Sequence, residues 1–249
     1  FSYIFNIVKS TRMKNTKYLI ISLSPLTFLA CIFLKFFKKT PYVYLRSNGY
    51  DEYKIILGKL GYFIYHLMFV ITSKISILIS CREYILMRRK GFIVSPSQLT
   101  KNWYENRKVP NSIKQNLLYV GRVRKEKGIF SLLKIIKNHP EILLSVVGAD
   151  ETTKSINQEN VNLIEIISDQ KKLINIYDKN DIFILPSYTE GHPMVVLEAL
   201  ARLRPVIIFS EIKHIIEDKR GIFVAERNYD SLVKNIQFIK ENYHSIQED

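Results

Sequence analysis

Short continuous apolar runs alternate along the chain with longer stretches in which apolar positions recur every three to four residues. In the second half the alternation is regular. LLYVGR (117–122), ILLSVVG (142–148), VNLIEI (161–166), DIFILPS (181–187), PVIIFS (205–210) and GIFVA (221–225) read as strands. IFSLLKIIKNH (129–139), DQKKLINIYDKN (169–180), PMVVLEALARL (193–203) and residues 230–243 read as helices. Pro140 stops the first of these, and Pro193 sits in the first turn of the third. The first half predicts strands at 18–22, 42–46, 75–80 and 92–94, helices at 26–38, 53–72 and 82–90, and a loop around Ser95-Pro96-Ser97. Strands apolar on both faces, alternating with helices, predict parallel doubly wound α/β sheets. There are two such units, 1–112 and 113–249, joined near 110–116.

Two runs approach the length of a membrane span. KYLIISLSPLTFLACIFLKFFKK (17–39) is broken by Ser22, Ser24 and Pro25 into a strand and a helix. LGYFIYHLMFVITSKISILIS (60–80) carries His66 and Lys74 and divides likewise into helix and strand. Both are read as pieces of βαβ units, not as spans.

Composition adds little: 47% hydrophobic and 24% charged residues over 249 positions is an ordinary globular balance. Charge adds more. Residues 1–115 carry 19 Lys and Arg against 4 Asp and Glu, whereas residues 116–249 carry 18 against 19. The whole net charge of +14 therefore belongs to the first half. Such asymmetry points to an anionic partner there, such as a membrane surface, a phosphorylated lipid or nucleic acid; a merely basic solvated surface is the plain alternative. Cys31 and Cys81 sit in apolar runs and read as buried thiols of a reducing, cytoplasmic setting. The first residue is Phe, and the chain reads as a fragment or a trimmed piece.

In open α/β sheets ligands sit beyond the carboxyl ends of the strands. Three such loops hold suggestive groups. GRVRKEKG (121–128) offers Arg122, Arg124, Lys125 and Lys127; Gly148-Ala149-Asp150 follows the next strand; PSYTEGHP (186–193) leads into a helix. Cations facing a helix N-terminus make a site for phosphate, with Arg122 gripping in a bidentate way and Lys127 acting as a point charge. Taken alone, GRVRKEKG reads sooner as a plain solvated turn than as a phosphate site. There is no G-x-x-x-x-G-K-[ST] and no G-x-G-x-x-G, so neither a P-loop nor a dinucleotide fold is supported. At 100° per residue Val196, Ala199, Leu200 and Leu203 share the core face of their helix. Glu198 points the other way beside Met194 and Arg202. It is either an exposed i,i+4 pair with Arg202, worth roughly 0.3–0.5 kcal/mol, or part of a cleft wall to which Glu190 also contributes.

GRVRKEKG, VVGAD, VNLIEI, DIFILPSYTEGHPMVVLEALARLRPVI and EDKRGIFV together resemble the donor-binding domain of retaining GT-B glycosyltransferases of family 4, and Glu190 and Glu198 match its Glu-x7-Glu pattern. The likeness is clear over about 115–240 and weaker over 17–110. It implies two Rossmann-like sheets, the first of them an incomplete acceptor-side domain and the second a nucleotide-sugar domain. It also implies that Arg122 and Lys127 hold the diphosphate and that Glu198 binds the ribose hydroxyls. Glu190 would face the donor sugar, and Gly191, His192, Pro193, Met194 and Val195 would line the donor. The reaction implied is glycosyl transfer with retained anomeric configuration, without cofactor or obligatory metal. The acceptor would be a carbohydrate or a lipid-linked sugar at the cytoplasmic face of the cell membrane, with peripheral contact to anionic lipid. His192 reads as a turn residue without a proton role. Glu165 stands where the family commonly has glycine, and SEIKH (210–214) replaces its Gly-Gly loop. In the first half Arg46, Asn48, Asp51 and Glu52 are candidates to face the site. Against the family pattern the first strands of the acceptor domain and the final crossing helix are missing.

Two other readings stay open. One is another GT-B activity such as a phosphorylase. The other is a non-catalytic binder of anionic membrane or nucleic acid. Tyr42, Tyr44, Tyr62, Phe63 and Tyr65 fall at expected core positions and not on a stacking platform, so nucleic acid is not expected as a partner.

Overall fold

Apolar strands of three to seven residues form two sheets, and every recorded strand pair in both is parallel. The computed structural model describes residues 2–11, 15–94, 99–109, 114, 116–153, 156–216 and 219–248. The expected loop at 95–97 and the expected boundary at 112/113 lie outside these residues. The chain forms two compact units, one of residues 1–96 with 189–192 and one of 97–188 with 193–249.

In the first unit the elements run α1 (Ser2–Thr11), β1 (Tyr18–Ile21), α2 (Pro25–Phe36), β2 (Pro41–Leu45), α3 (Gly49–Ile75), β3 (Ile77–Ser80) and β4 (Gly91–Ile93). The strand order is β1-β2-β3-β4. Ser24 opens α2 with a capping box shared with Thr27, and Pro25 is accepted in the first turn. Ile20, Val43 and Leu78 pack against Ala30, Cys31 and Leu34 of α2 and Tyr65, Met68 and Phe69 of α3. All connections in this sheet step in one direction, so these helices share one face. On strand β1 the alternate residues Leu19 and Ile21 are exposed.

Four expectations change here. The helix α1 precedes residue 18, where the expected elements begin. The expected helix at 53–72 is longer, Gly49–Ile75, and is kinked at Gly58. Residues 82–90 are not an α-helix: a 3-10 turn, Glu83–Leu86, is followed by Met87 and Arg88 in the left-handed region. Two successive left-handed residues cannot continue i→i−4 bonding. Tyr62 and Phe63 are exposed, not core, because after the kink Gly61, Tyr65, Met68, Phe69 and Thr72 define the inward face. By length and composition alone, α3 is the one described helix able to cross a membrane, with 28% of its most apolar window buried.

In the second unit β5 (Asn116–Val120), α4 (Ile129–Ile136), β6 (Leu143–Ala149), β7 (Val161–Glu165), α5 (Gln170–Lys179), β8 (Ile182–Leu185), α6 (Met194–Ala201), β9 (Val206–Phe209), β10 (Ile222–Ala225), α7 (Tyr229–Glu241) and α8 (Tyr243–Glu248) follow. These match the sequence-based elements to within a few residues, with α8 added. The order is β10-β9-β8-β5-β6-β7. Period-two alternation buries both faces. Leu117, Ile182, Ile184 and Ile207 meet α4 and α7, while Leu118, Phe183, Leu185 and Ile208 meet α5 and α6.

Candidate active site

The second sheet reverses direction between β5 and β8. From β5 the chain proceeds outward through β6 and β7; from β8 it proceeds the other way through β9 and β10. The crevice beyond the carboxyl ends at such a reversal is where open α/β sheets bind ligands. The turn after β5 is 121–128 and the loop after β8 begins at Pro186, so the sequence candidates of this unit flank the reversal.

Close backbone approach builds this end. Gly121 N donates to Val147 O at 3.0 Å. Gly148 has φ 109°, and a Cβ there would overlap the Gly121 carbonyl. Gly128 has φ 67°, and a Cβ there would overlap the Pro186 carbonyl. Tyr188 N donates to Glu126 O at 3.0 Å, closing turn and loop together. Tyr119 Oη donates to Arg122 O at 2.7 Å. Within the turn Arg122 is exposed and Lys127 half-buried. Arg124 pairs with Asp150 at 3.1 Å, which gives it a structural partner.

Arg227, at the end of β10, locks the loop. It donates to Pro186 O at 2.9 Å and to Glu211 Oε1 at 2.6 Å. Its guanidinium lies 4.0 Å from the Tyr188 ring centroid and 4.3 Å from that of Phe209. Glu211 lies in the SEIKH stretch, which forms the 3-10 segment Ser210–Ile215.

Pro193 is the N-cap of α6, in extended conformation and without a side-chain cap. It thus precedes the first turn instead of occupying it, and Met194 and Val195 are half-buried in that turn. Glu198 accepts a hydrogen bond from Tyr177 Oη at 2.9 Å. Burial pushes the Glu198 carboxyl above the usual range, and the Tyr177 bond only partly offsets this. Burial, then the charge of Glu198, holds the Tyr177 hydroxyl well above its ordinary range.

The expected exposed pair of Glu198 with Arg202 does not form. The helix ends at Ala201, and Arg202 turns inward, 1% exposed. It grips Asp178 with two bonds of 2.9 and 2.7 Å and donates to the carbonyls of Trp103, Glu105 and Asn106.

In the first unit Glu190 is 8% exposed, and its carbonyl accepts from Tyr84 Oη at 2.8 Å. Arg82 donates through Nε to Gly191 O at 3.3 Å and meets His192 Nδ1 through Nη2 at 3.4 Å. A Cβ on Gly191 would overlap the Arg46 carbonyl. Asn48 caps α3, accepting from Tyr50 N at 3.1 Å and donating to Asp51 at 2.6 Å, so these two candidates are engaged at a helix start. Glu165 is exposed at the end of β7.

Arg122, Lys127, Pro193, Met194, Val195 and Glu198 belong to the second unit, whereas Glu190, Gly191 and His192 belong to the first. Tyr177 and Arg227 were missed in the sequence: one reads as an apolar helix position, the other as a surface cation. Among the described residues no three His, Cys, Asp or Glu side chains gather as metal ligands.

Residues 103–248 match the model of the family described as Glycosyl transferases group 1. An uncharacterized glycosyltransferase of Haemophilus influenzae is 30% identical over 144 residues, covering 51% of this chain and 40% of that protein. The capsular polysaccharide biosynthesis glycosyltransferase CapM of Staphylococcus aureus is 30% identical over 135 residues, covering 48% of this chain and 35% of its own length. Each match takes in less than half of the curated relative. The crystal structure of Anabaena HepE in complex with UDP and glucose superposes with a TM-score of 0.70 at 13% identity, over 97% of this chain and 73% of that one. The two parallel sheets are those of GT-B glycosyltransferase structures.

Proposed function

The chain belongs to the glycosyl transferases group 1 family, and from that premise we propose that it serves transfer of a sugar from a nucleotide-sugar donor to a carbohydrate or lipid-linked acceptor, with retention of anomeric configuration and no obligatory metal. The observation that carries the reading is Glu198, a carboxylate raised by burial, held by Tyr177 in the helix that follows the sheet's reversal point. Two ribose hydroxyls supply the donors that such a carboxylate otherwise lacks. Arg122 and Lys127 hold the diphosphate. A departing diphosphate gains charge in the transition state, and these two cations together with the uncapped first turn of α6 answer that charge. The role of Glu190, facing the donor sugar, rests on the Glu-x7-Glu motif.

Thermal unfolding with UDP, GDP and ADP tests the reading. A nucleotide at 100 times its Kd stabilises by about 2.7 kcal/mol. One nucleotide should stabilise the chain, and Arg122→Ala and Glu198→Ala should each abolish the effect while remaining folded. UDP is the first choice, since the Anabaena neighbour was crystallised with it. Stabilisation that survives both substitutions would show that the donor sits elsewhere.

A further inference from the structure

Near the start of the second unit, residues 100–108 are tied to α5 and to the end of α6. Thr100 Oγ1 and Asn102 Nδ2 donate to Gln170 Oε1 of α5 at 3.0 and 3.3 Å. Arg202 Nη1 donates to the carbonyls of Trp103 and Glu105 at 3.1 and 2.7 Å, and Arg204 Nη2 donates to that of Lys108 at 2.7 Å. Both arginines are 1% exposed, and Asp178 of α5 pairs with Arg202 at 2.7 Å. Carbonyls held by buried guanidinium groups are fixed, since releasing one leaves a buried charged donor unanswered.

Trp103 is the only buried residue of this segment. Its ring meets that of Tyr177 edge-on, with 5.5 Å between centroids and 82° between planes. Phe183 of β8 stacks on the same Tyr177 at 5.8 Å. A phenol oxygen lies on the axis of its ring, so a ring flip leaves it in place and only a swing about χ1 moves it. Close packing by Trp103 and Phe183 resists that swing. Tyr177 Oη donates to Glu198 Oε2 at 2.9 Å, and among the described residues no other side chain bonds this carboxylate. Arg202 follows directly on the helix that carries Glu198. The contacts therefore close on themselves, from Glu198 to Tyr177, to Trp103, and through its carbonyl to Arg202.

We propose that Tyr177, with Trp103 packed against it, is a positioning pair for ribose recognition: it holds the Glu198 carboxylate in the orientation that accepts both hydroxyls of a ribose, and so makes the site select ribonucleotides over 2′-deoxyribonucleotides. The inference rests on the reading of Glu198 as the ribose-binding group. With Oε2 engaged by Tyr177, the plane of the carboxylate is set before a ligand arrives. A carboxylate that turns freely meets one hydroxyl as readily as two and discriminates weakly. A fixed one forfeits a charge-assisted hydrogen bond when a hydroxyl is missing.

Calorimetric titration compares UDP, GDP or ADP, whichever stabilises the parent chain, with its own 2′-deoxy form. The parent should prefer the ribonucleotide by at least about tenfold, the loss of one charge-assisted hydrogen bond. Tyr177→Phe keeps the ring packing and removes only the hydroxyl, and it should bring the ratio of the two affinities toward unity. Trp103→Leu should do the same, while Trp103→Phe, which keeps an aromatic ring against Tyr177, should retain most of the preference. A merely structural role would weaken both nucleotides equally and leave the ratio where it was. A ratio unchanged in Tyr177→Phe therefore overturns the inference, whether or not Trp103→Leu folds, and leaves the donor reading standing. Failure of the donor reading has a different signature: the parent then binds no nucleotide, or Glu198→Ala binds it as tightly as the parent does.

Discussion

Glu198 receives one hydrogen bond, from Tyr177, in a setting that disfavours its charge. Its folded pKa stands above the unfolded one, so the folded chain holds this proton more tightly than the unfolded chain does. The resulting stability is fully present below the usual carboxylate pKa and is lost as pH rises through the raised value. Glu198→Gln removes that ionisation but keeps an acceptor for Tyr177. The variant should therefore be more stable than the parent near pH 8, with the gain shrinking to nothing near about pH 4. Its nucleotide affinity should fall about tenfold, because a charged acceptor has been replaced by a neutral one. Denaturant unfolding of both chains across this pH range checks it. A Gln variant that is less stable at pH 8 would mean that Glu198 has charge partners in solution beyond Tyr177.

Between elements the decisive contacts are backbone on backbone. Gly128 sits against Pro186, Tyr188 N reaches Glu126 O, and Arg227 ties down the Pro186 carbonyl. The turn that carries Arg122 and Lys127 is thereby fixed to the loop after β8. Gly128→Ala should cost about 1–2 kcal/mol for its left-handed backbone alone, plus the displacement of Pro186, and should weaken nucleotide binding without touching any liganding side chain. Unchanged stability and binding would show that the loop moves freely. Much of this frame was legible in the sequence. Continuous apolar strands such as DIFILPS and ILLSVVG fix parallel pairing, and the strand ends place the turn 121–128 and the loop after β8 beside the sheet's reversal. What was not legible depends on contacts made across distant chain segments. Arg202 reads as a solvent-facing partner four residues from Glu198, yet the helix stops one residue before it and the guanidinium finds Asp178 and three carbonyls. Residues 82–90 read as helix because nothing in their composition signals two left-handed residues in succession. Tyr62 and Phe63 read as core because the kink at Gly58, which sets the inward face of α3, is a tertiary feature.

At the scale of the whole chain, charge and exposed apolar surface coincide in the first unit. Residues 1–96 with 189–192 hold 15 Lys and Arg against 4 Asp and Glu. On α2, Leu26, Leu29, Ile32 and Phe36 are exposed, and on α3 so are Ile56, Leu57, Leu60, Phe63 and Leu67. Lys35, Lys54 and Lys59 stand exposed on the same helices. Tyr65, Met68 and Phe69 of α3 belong to the core beneath, which argues for a helix that rests on lipid over one that crosses it. Apolar side chains flanked by lysine are what an interfacial helix needs, and each cation near an anionic surface adds about 1 kcal/mol. Sedimentation with vesicles rich in phosphatidylglycerol should pull down the chain at low salt, and raising the salt should release part of it. Phe36→Ser and Phe63→Ser together, both at exposed positions and so without cost to the core, should reduce the bound fraction several-fold while leaving nucleotide stabilisation intact. Equal binding by the double variant would assign the attraction to charge alone. Association of the chain with itself in the absence of vesicles would instead make these helices a protein contact.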